Sequence, residues 1–172
     1  MKTAALIVAA GKGTRAGAPL PKQYAPLGAD TVLGRTLQAA LSHPAVNLVQ
    51  VVIGAGDAHL YDSATAAFAG RLLPSVAGGA TRQASVRAGL LALVPHAPDC
   101  ILIHDAVRPF VSAETITHIL EALARDPAAI AAVPLADTLK RADADGRVAA
   151  TLDRSGLWRG QTPQGFRFAE IL

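Results

Sequence analysis

The sequence has little of what stabilises a secreted domain or spans a membrane. Its 172 residues include one cysteine, Cys100, which excludes an internal disulfide. Cys100 lies in the apolar run 100–103, and this position indicates a buried thiol rather than a nucleophile. No apolar stretch approaches the roughly 20 residues that span a bilayer. The sequence therefore predicts a cytoplasmic protein without membrane contact.

Aromatic residues and excess charge of one sign are also scarce. Aromatic residues make up 4% of the chain, and 16 basic against 13 acidic residues leave a net charge of +3. This balance argues against a nucleic-acid binder, which needs a strong positive field and stacking platforms. A hydrophobic fraction of 51% is enough for one compact core. We expect a single domain over residues 1–172 that binds a small anion in a pocket.

Short apolar runs alternate along the chain with longer stretches of helical periodicity. This pattern is typical of an α/β fold with a mostly parallel sheet. Right-handed crossovers then restrict the topology to a doubly wound sheet. The predicted strands are 4–9, 48–53, 71–76, 100–104 and 129–133. The predicted helices are 32–42, 58–69, 82–94 and 113–125, and Ser112 is placed to cap the last of them.

The pattern changes after Pro134. Residues 135–157 contain two short runs separated by Asp-Ala-Asp-Gly, and Asp-Gly is a strong hairpin signal. We predict a protruding β-arm over 135–157. A lone hairpin buries little of itself, so a partner subunit is a reasonable docking place for it. Trp158 is expected to pack against the base of the arm, a turn is expected at 162–164, and residues 166–172 are expected to open a helix.

The strongest local feature is the glycine-rich segment 9–17, which directly follows the first predicted strand. Its glycines let backbone amides converge on a phosphate, and two or three of the cations Lys12, Arg15 and Lys22 can neutralise the charge of a nucleoside triphosphate. The spacing does not match a P-loop, but it matches the loose dinucleotide-binding pattern. Three prolines between residues 19 and 26 exclude the long helix of that pattern, and no acidic residue ends the second strand. The alternative is that these cations are ordinary solvated charges.

Two further segments follow predicted strands at the edge where open α/β sheets bind ligands. Residues 78–86 begin with two glycines and carry Arg82 and Ser85 on one helical turn, although an ordinary surface arginine is an equal alternative. Asp105 follows the buried strand 100–104 and can reach Mg²⁺ or a sugar hydroxyl. Arg108 can pair with Asp105 or with a phosphate. His104 is predicted to be a structural hydrogen-bonding residue.

Six segments in this order resemble the 2-C-methyl-D-erythritol 4-phosphate cytidylyltransferases. They are residues 9–15 with 21–24, 78–86, 104–109, 137–141, 153–154 and 161–164. The resemblance covers essentially the whole chain and implies a Rossmann-like nucleotidyltransferase fold. Residues 161–166 are also similar to bifunctional fusions with the next cyclase of the same pathway. Family members continue beyond the position of residue 172, so the resemblance implies a chain that is truncated at its C-terminus.

The resemblance implies an enzyme that transfers a cytidylyl group from CTP to 2-C-methyl-D-erythritol 4-phosphate. The products would be 4-diphosphocytidyl-2-C-methylerythritol and pyrophosphate, in non-mevalonate isoprenoid synthesis. Mg²⁺ is expected as cofactor, held mainly by the CTP phosphates, with Asp105 as an additional candidate ligand. A homodimer that forms through the β-arm is also implied. The alternatives are a cytidylyltransferase for another polyol phosphate and a CTP-binding module without full activity.

The resemblance assigns the donor site residue by residue. Arg15 and Lys22 would be catalytic and would stabilise the transition state. Gly79 and Ser85 would recognise cytosine, with Arg82 supporting their loop. The full set of implied nucleotide-binding residues is Ala9, Ala10, Gly11, Gly13, Gly79, Arg82 and Ser85.

The resemblance also assigns the acceptor site. Asp105, Arg108 and Thr162 would position the hydroxyls of the methylerythritol. Thr138 and Arg154 on the arm would reach across a homodimer to hold the substrate phosphate in the other subunit.

Overall fold

The structure is a computed structural model, and it describes residues 1–11 and 20–172. The predicted site residues Gly13 and Arg15 lie outside the described residues. In chain order the described elements are β1 (Thr3–Ala9), β2 (Pro26–Leu27), β3 (Asp30–Thr31), α1 (Val32–Leu41), β4 (Val46–Ile53), α2 (Ala58–Thr65), β5 (Val76–Ala77), α3 (Arg82–Leu93), β6 (Cys100–Asp105), α4 (Ala113–Leu123), β7 (Ala128–Pro134), β8 (Leu139–Ala142), β9 (Val148–Leu152), β10 (Trp158–Arg167) and α5 (Phe168–Ile171).

The main sheet of the described chain has the strand order β5-β4-β1-β6-β10-β7. The first four of these strands are mutually parallel, and β10 runs antiparallel to both β6 and β7. The prediction of a mostly parallel α/β sheet is therefore confirmed. Because parallel strands end at one edge, the carboxyl ends of β1, β4, β5 and β6 meet there.

Helices cover both faces of this sheet, as a doubly wound fold requires. Successive side chains of β1 point to opposite faces, so Ile7 packs with Leu37 of α1, while Leu6 packs with Leu93 of α3. The predicted cap of α4 is confirmed, since the Ser112 hydroxyl accepts a hydrogen bond from the Thr115 amide. Across residues 1–11 and 20–172, none of the helices has the length and hydrophobicity needed to cross a membrane.

Two predicted elements were wrong. The strand expected at 71–76 is only Val76–Ala77, because Pro74 has no amide hydrogen to donate to a strand ladder. The turn expected at 162–164 lies instead inside strand β10, which is followed by the short helix α5. The sequence of β10, WRGQTPQGFR, lacks the apolar alternation of a strand, and its pairing depends on β6 and β7 on its two sides.

Cys100 confirms the prediction of a buried thiol. Its side chain is 2% exposed, and its sulfur lies 3.2 Å from the sulfur of Met1. Burial raises the pKa of the Cys100 thiol, which disfavours the reactive thiolate.

The predicted hairpin of the arm is confirmed by β8 and β9, which form a separate two-stranded sheet. Its turn closes where the Asp143 amide donates to the Arg147 carbonyl at 2.9 Å, and Gly146 adopts a φ of 79°. The expectation that Trp158 packs against the base of the arm is wrong within the described chain, where its side chain is 62% exposed. Trp158 is the first residue of β10. It pairs with Pro134, the last residue of β7, so it lies where the pairing of the two strands ends.

We predict that Gly89→Val destabilises the fold. A Cβ atom at Gly89 would lie 2.3 Å from Cδ1 of Leu6 and 2.8 Å from Cγ2 of Val52, so the glycine lets α3 contact the sheet directly. Overpacking of this kind costs about 1–3 kcal/mol in the free energy of unfolding. Urea unfolding should show a lower midpoint for Gly89→Val than for Arg87→Ala, an exposed position of the same helix. Equal midpoints for the two variants would contradict this close contact.

Candidate active site

A cleft of about 560 Å³ lies at the edge where the parallel strands end. Its lining consists almost entirely of small residues, and their backbones form most of its walls. They are Ala10, Pro21, Gly54, Ala55, Gly56, Asp57, Gly78, Gly79 and Ala80. Such a wall admits a flat ring or a phosphate close to the main chain.

One side of the cleft is held in place by Gln23, which is 3% exposed. Its Nε2 donates to the carbonyl oxygens of Ala9 at 2.7 Å and Gly11 at 3.1 Å. Gln23 therefore ties the end of β1 to the 3-10 turn Lys22–Tyr24, in which Lys22 is exposed. Sequence reasoning assigned no role to Gln23, because nothing local distinguishes a buried loop glutamine from a solvated one.

The opposite side of the cleft is the loop between β5 and α3. The Gly79 amide donates a hydrogen bond to the Ser85 hydroxyl at 3.1 Å. The same hydroxyl donates its own proton to the Thr81 carbonyl oxygen at 3.0 Å. Ser85 is only 2% exposed. In this structure Ser85 thus holds the loop from inside, and its role in recognising a base stays a prediction.

We predict that Gly78→Ala weakens the binding of CTP, the nucleotide that the family resemblance assigns to this site. A Cβ atom there would lie 2.4 Å from the Cβ of Ala10 and 2.7 Å from Oγ of Ser85, so one wall of the cleft must move. Moving the wall displaces the backbone amides of the cleft, and we expect the Kd for CTP to rise by about tenfold, the equivalent of 1.4 kcal/mol. Calorimetric titration measures this effect. An unchanged Kd would contradict it, and a cooperative unfolding transition checks that the variant is folded.

Asp105, the last residue of β6, is paired with two arginines. Its Oδ1 accepts from a terminal guanidinium nitrogen of Arg82 at 3.2 Å, and its Oδ2 accepts from Nε of Arg108 at 3.2 Å. Arg82 also donates to Gln164 at 3.3 Å, and Arg108 also donates to Gln161. The predicted pairing of Arg108 with Asp105 is confirmed. Arg82, which the resemblance assigns to the nucleotide-binding residues and to the support of their loop, also links α3 to β6.

A buried histidine forms hydrogen bonds to two residues of the same cluster. His104 is 3% exposed, its Nε2 lies 3.0 Å from the Arg108 carbonyl oxygen, and its Nδ1 lies 2.9 Å from Oγ1 of Thr162. The Asp105 amide also donates to Thr162 Oγ1 at 3.3 Å. Burial lowers the pKa of His104 and so favours the neutral imidazole. The prediction of a structural hydrogen-bonding role for His104 is confirmed.

A bulge in β10 places Thr162 next to this cluster. From Gly160 to Gln164 the strand advances four residues while its partner β7 advances two, from Ala132 to Ile130. The extra residues are free of the regular ladder, which lets the strand redirect their side chains. Thr162 reaches His104 and Asp105 for this reason.

A family model described as IspD, 2-C-methyl-D-erythritol 4-phosphate cytidylyltransferase, matches residues 3–172. The chain belongs to this family. The resemblance of the sequence segments and the Rossmann-like nucleotidyltransferase fold are thereby confirmed.

Individual relatives agree with the family assignment. The chain is 52% identical to the bifunctional enzyme IspD/IspF of Paramagnetospirillum magneticum and 52% identical to that of Rhodospirillum rubrum. Each match covers 99% of this chain and 44% of the relative, so the chain spans less than half the length of these curated relatives.

Solved structures agree as well. The 4-diphosphocytidyl-2C-methyl-D-erythritol synthase of Anaerococcus prevotii matches with a TM-score of 0.82 and 32% identity, over 99% of this chain and 71% of that one. The Francisella tularensis 2-C-methyl-D-erythritol 4-phosphate cytidylyltransferase matches with a TM-score of 0.81 and 29% identity, over 99% of this chain and 74% of that one.

The two arm residues that the cytidylyltransferase resemblance assigns lie apart from the paired cluster in this chain. Thr138 and Arg154 are both exposed, and the Arg154 guanidinium donates to the Ala136 carbonyl within the arm. Next to it, hydrogen bonds from Ser155 lower the pKa of Asp153. Among the hydrogen bonds of residues 20–172, none joins Thr138 or Arg154 to Asp105, Arg108 or Thr162.

A carboxylate that sequence reasoning missed also lines the cleft of this cytidylyltransferase family member. Asp57 comes four residues after β4 ends, so a search for an acidic residue at the strand end itself passes over it. Burial raises the pKa of the nearby Tyr24, and the negative charge of Asp57 raises it further. The signal that could have found Asp57 is its place before the helix that follows the strand.

The described residues do not form a metal site of their own. Within residues 1–11 and 20–172, no group of three or more His, Cys, Asp or Glu side chains is placed to hold a metal ion. Both carboxylate oxygens of Asp105 accept from arginines, but each oxygen of an ionised carboxylate has two lone pairs, so these ion pairs do not exclude a cation. The role of Asp105 as an additional magnesium ligand stays a prediction.

Proposed function

We propose that the chain transfers a cytidylyl group from CTP to 2-C-methyl-D-erythritol 4-phosphate in the synthesis of isoprenoid precursors. The products are 4-diphosphocytidyl-2-C-methylerythritol and pyrophosphate. The observation that carries this proposal is the position of the arginine-paired Asp105 beside a cleft walled by glycine and alanine backbone, in a chain of this family. A buried thiol is compatible with the reducing cytoplasm, and we place the reaction there.

The donor half of the site consists of the cleft and its glycine loop. We infer that the amides around Ala10, Gly11 and Gly79 hold the nucleotide, because small residues let the ligand approach the main chain. Lys22 supplies positive charge from the turn that Gln23 anchors to β1. Arg15, outside the described residues, is assigned to the same role by the family resemblance.

The acceptor half is the cluster around Asp105. One carboxylate between two guanidinium groups leaves a net charge of +1, which favours an anionic substrate. We infer that Asp105, Arg108 and Thr162 orient the hydroxyls of the acceptor. Because Arg82 belongs to α3 and also pairs with Asp105, it fixes the distance between the two halves.

The reaction needs no covalent enzyme intermediate, because the nucleophile is already an anion. A phosphate oxygen of the acceptor attacks the α-phosphorus of CTP and forms a new P–O bond. The bond from the α-phosphorus to the bridging oxygen breaks in line, and pyrophosphate leaves with that electron pair. The protein then contributes orientation and neutralisation of charge. We propose that Mg²⁺ is carried mainly by the triphosphate oxygens, with Asp105 as an additional candidate ligand.

We further propose that two copies of the chain form a homodimer through the β-arm. The arm is a separate sheet with exposed apolar side chains, including Val148 at 65% and Leu157 at 44% exposure. An isolated hairpin needs such a surface covered. The exposed Phe110 and Ile130 line a groove of about 760 Å³ that also reaches Arg108, and this groove offers the second copy an apolar surface beside the acceptor site.

Pyrophosphate release tests the proposed reaction. CTP and 2-C-methyl-D-erythritol 4-phosphate are incubated with this chain and, in parallel, with the longer bifunctional protein of a relative. A panel of other phosphorylated polyols is run beside them. Release with methylerythritol phosphate alone supports the proposal, and faster release with another polyol phosphate overturns the acceptor. CTP binding in calorimetry without pyrophosphate from any acceptor would instead identify a binding module.

A further inference from the structure

The hydrogen bonds around His104 have only one consistent set of donors. The Arg108 carbonyl oxygen can only accept, so Nε2 of His104, 3.0 Å away, must carry the proton. The imidazole is 3% exposed and makes no ion pair through its own ring nitrogens, which favours its neutral form. In the neutral ring the other nitrogen, Nδ1, is then an acceptor.

This assignment fixes the hydroxyl of Thr162. Because Nδ1 of His104 accepts, Thr162 must donate its single hydroxyl proton to it across 2.9 Å. The Asp105 amide donates to the oxygen of the same hydroxyl at 3.3 Å, which occupies one of the two lone pairs. Thr162 thus has one lone pair and no proton left for a ligand.

We propose that His104 is a positioning residue that orients the Thr162 hydroxyl so that Thr162 can only accept a hydrogen bond from the acceptor substrate. This inference rests on the proposed function. It adds which of the two groups donates the hydrogen bond between Thr162 and the substrate. The substrate group at Thr162 must be a donor, which means a hydroxyl of the polyol. A fully ionised phosphate has only acceptor oxygens and is disfavoured at this position.

The same imidazole also holds the other side of the acceptor site. Its Nε2 proton fixes the backbone of Arg108, whose side chain pairs with Asp105. The buried His104 ring therefore fixes both the direction of the Thr162 hydroxyl proton and the position of the Arg108 backbone. The opposite tautomer would point the Nε2 lone pair at the Arg108 carbonyl oxygen, which is repulsive.

The first test reads the tautomer directly in the unliganded protein. The chain is labelled with ¹⁵N at its five histidines, and the His104 signals are assigned by their loss in His104→Gln. We expect a neutral ring with the proton on Nε2 and none on Nδ1 near neutral pH. A proton on Nδ1 overturns the inference, and this result does not depend on any activity.

The second test separates the two contacts of the ring with a matched pair of variants. In His104→Asn the amide oxygen takes the place of Nδ1 and can still accept from Thr162. In His104→Gln the amide nitrogen takes the place of Nε2 and can still donate to Arg108. Each variant loses one hydrogen bond of the same buried side chain, so their Tm values should fall by similar amounts.

The acceptor KM is the decisive measurement. We expect His104→Gln to raise the KM for methylerythritol phosphate by about three- to tenfold, the effect of one misdirected hydrogen bond. Thr162→Val should give a similar increase, and adding it to His104→Gln should change little more. His104→Asn keeps the direction of the Thr162 hydroxyl and loses only the contact to the Arg108 backbone, so it should raise the acceptor KM less than His104→Gln does. The KM for CTP should not change in any of these variants.

The outcomes distinguish this inference from the proposed function. Equal acceptor KM values for His104→Asn and His104→Gln, or additive effects of His104→Gln and Thr162→Val, overturn the role of His104 alone. Failure of the wild-type protein to release pyrophosphate overturns the proposed function, and the substrate contact with it, whatever tautomer the spectra show.

Discussion

Lys22→Ala is expected to lower kcat by about 100-fold or more, as removal of a preorganised electrostatic contact does in other active sites. Lys22 is exposed at the start of a turn that Gln23 ties to the end of β1, so its charge lies beside the cleft. In the proposed in-line displacement, negative charge shifts toward the leaving pyrophosphate. A cation that meets this charge stabilises the transition state more than bound CTP. We therefore expect the Kd for CTP to change far less than kcat.

Single-turnover rates and calorimetry together measure the two effects of Lys22→Ala. Lys22→Arg keeps the charge and should recover part of kcat, although a planar guanidinium does not reproduce the geometry of an ammonium group. Arg87→Ala is the matched control, since it also removes one exposed cation but lies on the outer surface of α3. A wild-type kcat in Lys22→Ala would remove Lys22 from the mechanism. A loss confined to CTP affinity would make it a ground-state binding residue.

Much of the fold follows from local patterns in the sequence. Apolar periodicity predicted the helices α1 and α4 within two residues of their ends, and Ser112 was identified as a cap from its place alone. The hairpin of the arm was predicted from Asp-Gly. β10 could not be predicted this way, because its glycines and glutamines form a strand only between β6 and β7.

The candidate site shows the same difference between contacts that local sequence predicts and contacts between distant residues. Arg108 lies three residues from Asp105, so their pairing could be predicted from spacing. Arg82 and Thr162 lie 23 and 57 residues from Asp105, and they reach it only because α3 and the bulge of β10 meet at the end of β6. Separations of this size carry no local signal. The family resemblance pointed to these residues, but only the structure shows which of their atoms form hydrogen bonds with one another.

Mixing two inactive variants is expected to restore activity if the arm serves the partner subunit. Arg154→Ala alone should have low activity, because the family resemblance assigns the exposed Arg154 to hold the substrate phosphate in the other copy. Lys22→Ala alone should be nearly inactive. When equal amounts are unfolded and refolded together, half of the dimers are mixed, and one site in each of them has both Lys22 and the partner's Arg154. Random pairing then predicts about a quarter of wild-type activity.

This expectation depends on which subunit the arm serves. If Arg154 acted within its own chain, every site of a mixed dimer would lack either Lys22 or Arg154, and mixing would restore nothing. Arg141→Ala is the matched control, since Arg141 is an exposed cation on the same arm with no assigned role. It should keep its activity alone and gain nothing from mixing. An Arg154→Ala variant with full activity would show that the arm does not contact substrate, whereas recovery near a quarter would place one catalytic site across two chains.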